Sequence, residues 1–144
     1  MHFISVVILS FLSALAAAEP DVKMVDFTVN CKTWKIASHT LEATCPDWDG
    51  NYKDSSLDLN QCYTYNQDFQ LEFKVGGAAF DTCISCELET DLKKPPLLTC
   101  DCMEGGDIMP VWGHTRSTNT TLDSNVFNRN GQLICRSSIH DDHE

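Results

Sequence analysis

CKTWKIASHTLEATC, residues 31–45, places a cysteine at each end of a short polar–apolar stretch, and CISCELETDLKKPPLLTCDC, residues 83–102, repeats that arrangement. In the first stretch a turn at Ala37-Ser38-His39 would set Ile36 opposite Thr40 and Cys31 opposite Cys45. A disulfide suits the separation of facing residues in an antiparallel pair. Closing such a loop of about 15 residues constrains the unfolded chain by roughly 3 kcal/mol. After the first stretch come SSLDLNQC (residues 55–62) and NQDFQLEF (66–73); after the second come TTLDSN (120–125) and NRNGQLIC (128–135). Phe27 and Phe80 lead into the first cysteine of each copy. Matches recurring in one order identify an internal repeat, with repeat one at about 27–77 and repeat two at about 78–136. The second copy carries extra residues around 93–96 and 104–119, rich in Gly, Pro and polar side chains, which reads as surface loops. Leu71, Phe73 and Val75 alternate with Gln70, Glu72 and Lys74 as in a half-buried strand. Residues 55–58 and 120–123 resemble capped single helical turns, with Asp58 and Asp123 accepting from free N–H groups. No sustained helical period follows residue 19, so the expected class is all-β with short helical turns.

The chain begins MHFISVVILSFLSALAAAEP. An apolar run from Phe3 to Leu15, closed by Ala16-Ala17-Ala18, is too short to span a bilayer and reads as a signal peptide over residues 1–18. It lacks the Lys or Arg usual at such a start, and a buried N-terminal helix is the competing reading. The expectation is therefore a secreted, extracellular protein whose single domain covers residues 19–144 and ends in a short acidic tail, 137–144. Net charge is −11, which repels phosphate backbones and anionic lipid heads, so neither nucleic acid nor membrane is expected as a partner.

All eight cysteines follow the leader, an even number that points to a disulfide framework. Zinc is the competing reading for Cys83-x-x-Cys86 and Cys100-x-Cys102, but a one-residue gap is tight for two ligands. Repeat equivalence pairs Cys83 with Cys102, as Cys31 with Cys45, although Cys100 on the same strand face leaves Cys83–Cys100 open. Cys62, Cys86, Cys100 and Cys135 would then pair in one of three ways. Asn119-Thr120-Thr121 is an N-glycosylation sequon in the polar insertion, where a loop is expected. A metal is not expected: the His140-Asp141-Asp142-His143-Glu144 end reads as a solvated tail. Nor is an enzyme expected, since no G-x-S-x-G nucleophile motif appears and the histidines are scattered.

With LEATC (41–45), DGNYKDSSLDLNQC (49–62), TLDSN (121–125) and NGQLIC (130–135) assembled, the chain resembles the cyanovirin-N homology family. The extra cysteines at 62, 86, 100 and 135 resemble those of secreted members from filamentous fungi. The resemblance implies two pseudo-symmetric, intertwined lobes, each a three-stranded sheet plus a β-hairpin contributed by the other repeat. It also implies a lectin for mannose-rich glycans that needs no metal ion or other cofactor. One sugar pocket would use Asn66 and Asp68 with Asp81 and Thr82; the other would use Asn128 and Asn130 with Asn30. Amides, carboxylates and hydroxyls are the groups that sort vicinal sugar hydroxyls.

Departures from the family pattern bear on both pockets. Phe69 stands where the family has Gly, which opposes a positive φ in that turn. Ala78-Ala79 and Met103-Glu104-Gly105 replace polar and basic residues around the second hairpin. Pro46 and Trp48 stand where small polar contacts are expected, and Trp48 either stacks on a sugar or packs locally. Turn chemistry alone also accounts for these Asn, Asp and Gly residues. Two functional readings follow: a carbohydrate-binding protein, or a structural or host-interacting protein on the same scaffold with sugar binding lost. Monomer and domain-swapped dimer both remain open, with Val75-Gly76-Gly77 as the hinge.

Overall fold

The computed structural model describes residues 24–90, 95–104 and 114–136. The expected leader (1–18), the tail (137–144) and part of each second-repeat insertion lie outside them.

Chain order begins with β1 (Val25–Asp26) and a single helical turn, α1 (Phe27–Asn30). Strands β2 (Lys32–Ala37), β3 (Thr40–Pro46) and β4 (Tyr52–Asp58) then form an antiparallel sheet in that order. A 3-10 turn (Leu59–Gln61) leads into the hairpin of β5 (Tyr63–Tyr65) and β6 (Leu71–Phe73). A second 3-10 turn (Ala79–Asp81) opens repeat two. Strands β7 (Cys83–Glu89), β8 (Leu97–Met103) and β9 (Thr115–Thr121) make its sheet. Strands β10 (Val126–Arg129) and β11 (Gln132–Cys135) make its hairpin, and β1 pairs with β10.

Alternation explains the central strands. In β3, Leu41, Ala43 and Cys45 are buried while Thr40, Glu42 and Thr44 face outward; in β8, Leu98, Cys100 and Cys102 play the buried part. The turn between β2 and β3 is tighter than expected. Ala37 pairs with Thr40 and Ile36 with Leu41, leaving Ser38 and His39 as a two-residue connection. A bulge between Lys32 and Lys35 absorbs the offset, so Cys31 still meets Cys45. Repeat two bulges between Ile84 and Glu87, and the matched residues Thr33 and Ser85 have φ of 49° and 50°. The bulges set Trp34 across from Ala43 in one copy and Cys86 across from Cys100 in the other.

Each hairpin leans on the sheet of the other repeat. The Leu133 N–H in β11 donates to Ser55 Oγ in β4 at 2.9 Å, and the Leu71 N–H in β6 donates to Thr118 Oγ1 in β9 at 3.2 Å. These bonds occupy equivalent places, because Ser55 pairs with Ala43 and Thr118 with Cys100. The halves are intertwined. Their shared core contains Phe27, Leu41, Leu59, Tyr63, Leu98, Leu122 and Val126, all without measurable exposure.

Four disulfides join Cys31–Cys45, Cys83–Cys102, Cys86–Cys100 and Cys62–Cys135. Three staple hairpins; the fourth ties repeat one to the end of repeat two.

Several local expectations are corrected. Residues 55–58 belong to β4, with Asp58 accepting from the Asn60 N–H at the start of the next turn. Thr120 and Thr121 likewise end β9, and Asp123 accepts from the Thr28 hydroxyl at 2.7 Å rather than capping its own turn. Residues 115–119, expected as part of a loop, are the counterpart of β4, because their backbone pairs with β8 to complete the second sheet and Thr118 Oγ1 accepts from the Leu71 N–H. Asn119 therefore sits exposed on an edge strand, opposite Thr99. Val75 lies beyond β6 and is half exposed.

Candidate functional site

The second-repeat hairpin ends in Asn128-Arg129-Asn130-Gly131, whose last two residues take φ of 54° and 82°. Asn128 is buried, and its side chain organises three segments at once. Oδ1 accepts from the Gly131 N–H at 2.9 Å and fixes the turn. Nδ2 donates to the Pro46 carbonyl at 2.9 Å and to Asn30 Oδ1 at 3.3 Å. The end of β3 and the end of α1 are thereby drawn to the hairpin tip. Asn130 Oδ1 accepts from the Trp48 N–H at 3.0 Å, which adds the β3–β4 loop.

That loop is built on Asp47. Its Oδ1 accepts from the N–H groups of Asp49 (3.0 Å) and Asn51 (2.9 Å), and its Oδ2 meets Lys53 Nζ at 2.8 Å. The Lys53 ammonium, then the Asn51 N–H, hold this carboxyl below the usual carboxylate range. The Asp47 N–H bonds to the Asn51 carbonyl and the Gly50 N–H to the Asp47 carbonyl. A cleft of about 210 Å³ results, lined by Val25, Asn30, Pro46, Asp47, Trp48, Asn128 and Asn130. All three residues expected for this pocket, Asn30, Asn128 and Asn130, are brought together. Trp48 does not pack locally: it is 61% exposed at the rim. Asp47 was not singled out from the sequence, although an Asp two residues before another Asp and a Gly is the signature of such a side-chain-closed turn.

The first-repeat counterpart is arranged differently. Asn66 Oδ1 accepts from the Asp68 and Gln70 N–H groups, and its Nδ2 donates to Glu72. Its bonding is spent within its own hairpin. The Thr82 hydroxyl donates to the Ala79 carbonyl, and Asp81 is exposed. Among the described residues no hydrogen bond links Asn66 or Asp68 to Asp81 or Thr82.

Phe69 overturns the expectation that it would oppose a positive φ, since its φ is 61°. The left-handed conformation costs a non-glycine residue about 1–2 kcal/mol. The two backbone bonds to Asn66 hold the turn, and the ring packs 6.2 Å from Tyr65 with the Arg116 guanidinium 5.5 Å above it. In the other lobe Gly131 lies against Asp47 and Lys53 instead. Tyr65, where repeat two has Phe127, keeps a buried hydroxyl with no partner among the described residues, and burial pushes its pKa up. The opening on this side is a polar cleft of about 470 Å³ between Asp68–Leu71 and Arg116–Asn119, without Asp81 or Thr82.

Residues 27–134 match the CVNH domain. The chain belongs to that family. CVNH proteins are non-catalytic lectins, which agrees with the absence of an enzymatic motif. The fold is correspondingly similar to solved CVNH structures. The Gibberella zeae CVNH protein is 23% identical, covers 76% of this chain and 95% of its own, and superposes with a TM-score of 0.59. Microvirin, solved with mannobiose, is 29% identical with coverages of 76% and 97% and a TM-score of 0.59. A MoCVNH3 variant, solved with (N-GlcNAc)4, is 17% identical with coverages of 76% and 95% and a TM-score of 0.60. No curated protein sequence matches the chain significantly.

Proposed function

We propose that this CVNH protein binds glycans, without a metal ion, through the cleft of Asn30, Pro46, Asn128 and Asn130. The observation that carries the reading is the cross-repeat assembly of that cleft, in which Asn128 bonds to residues 82 and 98 positions away in sequence. Side-chain amides fixed by backbone bonds are pre-organised donors and acceptors, so a sugar binds without first ordering them. Asn30 and Asn130 both line this cleft, and their Nδ2 groups make no hydrogen bond to the described residues. Saccharides bound by Microvirin and by the MoCVNH3 variant support the ligand class, and mannose-type glycans are the first candidates. The oxidised protein should be retained on immobilised mannan and released by free mannose. No retention of folded protein on mannan or chitin would overturn the reading and leave a scaffold protein that has lost sugar binding.

The same reading includes secretion and an N-glycan on Asn119. Asn119 is exposed on the edge strand of its sheet, and a glycan there would mask unpaired backbone groups. Intact-mass measurement of natively secreted protein, with residues 1–18 and peptide-N-glycosidase treatment as the two comparisons, tests both points.

A further inference from the structure

The loop carrying Trp48 spends its polar groups on holding one backbone shape. Asp47 closes it through two N–H groups and Lys53, and Asn130 anchors the Trp48 N–H from the opposite repeat. Yet the indole makes no aromatic contact among the described residues and is 61% exposed. Exposed large apolar groups are ordinary when scattered. A tryptophan on a rigid loop, at the rim of a polar cleft joined to it by a hydrogen bond, is an arrangement suited to a ligand with polar edges and an apolar face. Pyranose rings have that form, with C–H groups on a face and hydroxyls around the edge.

The cleft, about 210 Å³, is open to solvent, and the exposed Trp48 stands among its lining residues at that opening. A sugar ring linked to one seated among Asn30, Asn128 and Asn130 extends over that rim.

We propose that the Trp48 indole is the platform for the second sugar ring of a glycan whose first ring occupies the Asn30–Asn128–Asn130 cleft. The inference rests on the lectin reading and assigns Trp48 the choice of oligosaccharide over monosaccharide. Its backbone N–H bond to Asn130 is retained by any non-proline residue, so substitution removes the stacking surface while leaving the loop anchored.

The test uses the oxidised protein, titrated with mannobiose and with mannose and followed by amide chemical shifts, which read weak affinities as well as strong ones. Wild type is expected to prefer mannobiose. Trp48→Ala should lower the mannobiose-to-mannose affinity ratio about tenfold, the scale of an aromatic contact, and Trp48→Phe should recover most of it. An unchanged ratio in Trp48→Ala, with mannobiose still bound, overturns the inference and leaves the lectin reading standing. Equal loss for both sugars also overturns it, because Trp48 would then serve the first ring. If wild type binds neither mannobiose nor a GlcNAc tetramer, the lectin reading fails and takes the inference with it. Thermal unfolding of each variant separates a binding effect from a folding one.

Discussion

The four disulfides divide into hairpin staples and a cross-repeat tie, and chain entropy ranks them. Cys62–Cys135 spans 73 residues of sequence, whereas Cys86–Cys100 spans 14 and lies inside the loop already closed by Cys83–Cys102. Loop-closure entropy gives the long bridge a stabilisation of ~4.4 kcal/mol at 25 °C. With the outer bridge intact, the inner one closes a ring made only of residues 83–86 and 100–102, which reduces its contribution to ~2 kcal/mol. The family-matched region holds about 110 residues, for which ~4.4 kcal/mol corresponds to a fall in Tm of about 15–20 °C and ~2 kcal/mol to about half that. The assay is calorimetric or near-ultraviolet unfolding of Cys62→Ala/Cys135→Ala and Cys86→Ala/Cys100→Ala under non-reducing conditions. Unfolding must be shown to reverse, so that Tm reports equilibrium. Equal loss from the two pairs, or greater loss from the inner one, would refute the entropic ranking and place the stabilisation in native-state contacts.

Other consequences follow from single positions. A Cβ on Gly77 would stand 2.5 Å from the Tyr63 carbonyl oxygen, whereas Gly76 has open space at φ 67°. Gly77→Ala should therefore cost about 1–3 kcal/mol by overpacking and Gly76→Ala about 1–2 kcal/mol by backbone strain alone, both readable by denaturant titration. Asn128→Ala leaves the Pro46 carbonyl and the Gly131 N–H without their partner and should cost about 2–3 kcal/mol, against about 1 kcal/mol for the more exposed Asn66→Ala. Asp47 has a lowered pKa in the folded loop, so its contribution is complete above the unfolded value of about 3.9 and is lost as pH falls through the lower folded value. Trp48 fluorescence should thus hold steady down to about pH 4 and change only below it; a transition centred above that point would contradict the assignment. Any dimer that exchanges repeat two across residues 75–77 must carry Cys62–Cys135 between chains, so it should persist on a non-reducing denaturing gel and dissolve on reduction.

The repeat was legible because hydrophobic alternation and cysteine placement survive substitution. Residues 31–45 announce a hairpin in any context. What could not be read locally was where β4 and β9 lie, because residues 55–58 and 120–123 have the Ser, Thr and Asp composition that also caps helical turns. Their strand state is imposed by pairing with β3 and β8 and by hairpins that need Ser55 and Thr118 as acceptors. The bulges at Thr33 and Ser85 were equally hidden, since a non-glycine residue at positive φ carries no compositional mark. Asn30, Asn128 and Asn130 were legible through resemblance, but Asp47, which shapes the loop between them, was not. Its partners are two backbone N–H groups and Lys53, and only the Asp-x-Asp-Gly pattern at 47–50 marks the turn in the sequence.

Phe69 shows why two copies of one hairpin need not make two equal sites. In repeat two a glycine at positive φ lets Asp47 and Lys53 lie directly against the turn, and the loop they brace reaches Asn130. At the same turn position of repeat one a phenylalanine accepts a similar φ, so backbone path alone does not separate the lobes. The ring does, because its volume lies beside the turn and draws Arg116, the counterpart of Lys53, over its face. Asn66 then bonds within its own hairpin, whereas Asn128 reaches across to the other repeat. A turn can thus keep its conformation while losing its power to recruit a neighbouring loop. Under the lectin reading this concentrates recognition in one lobe and leaves the other free to change its surface without disturbing the fold.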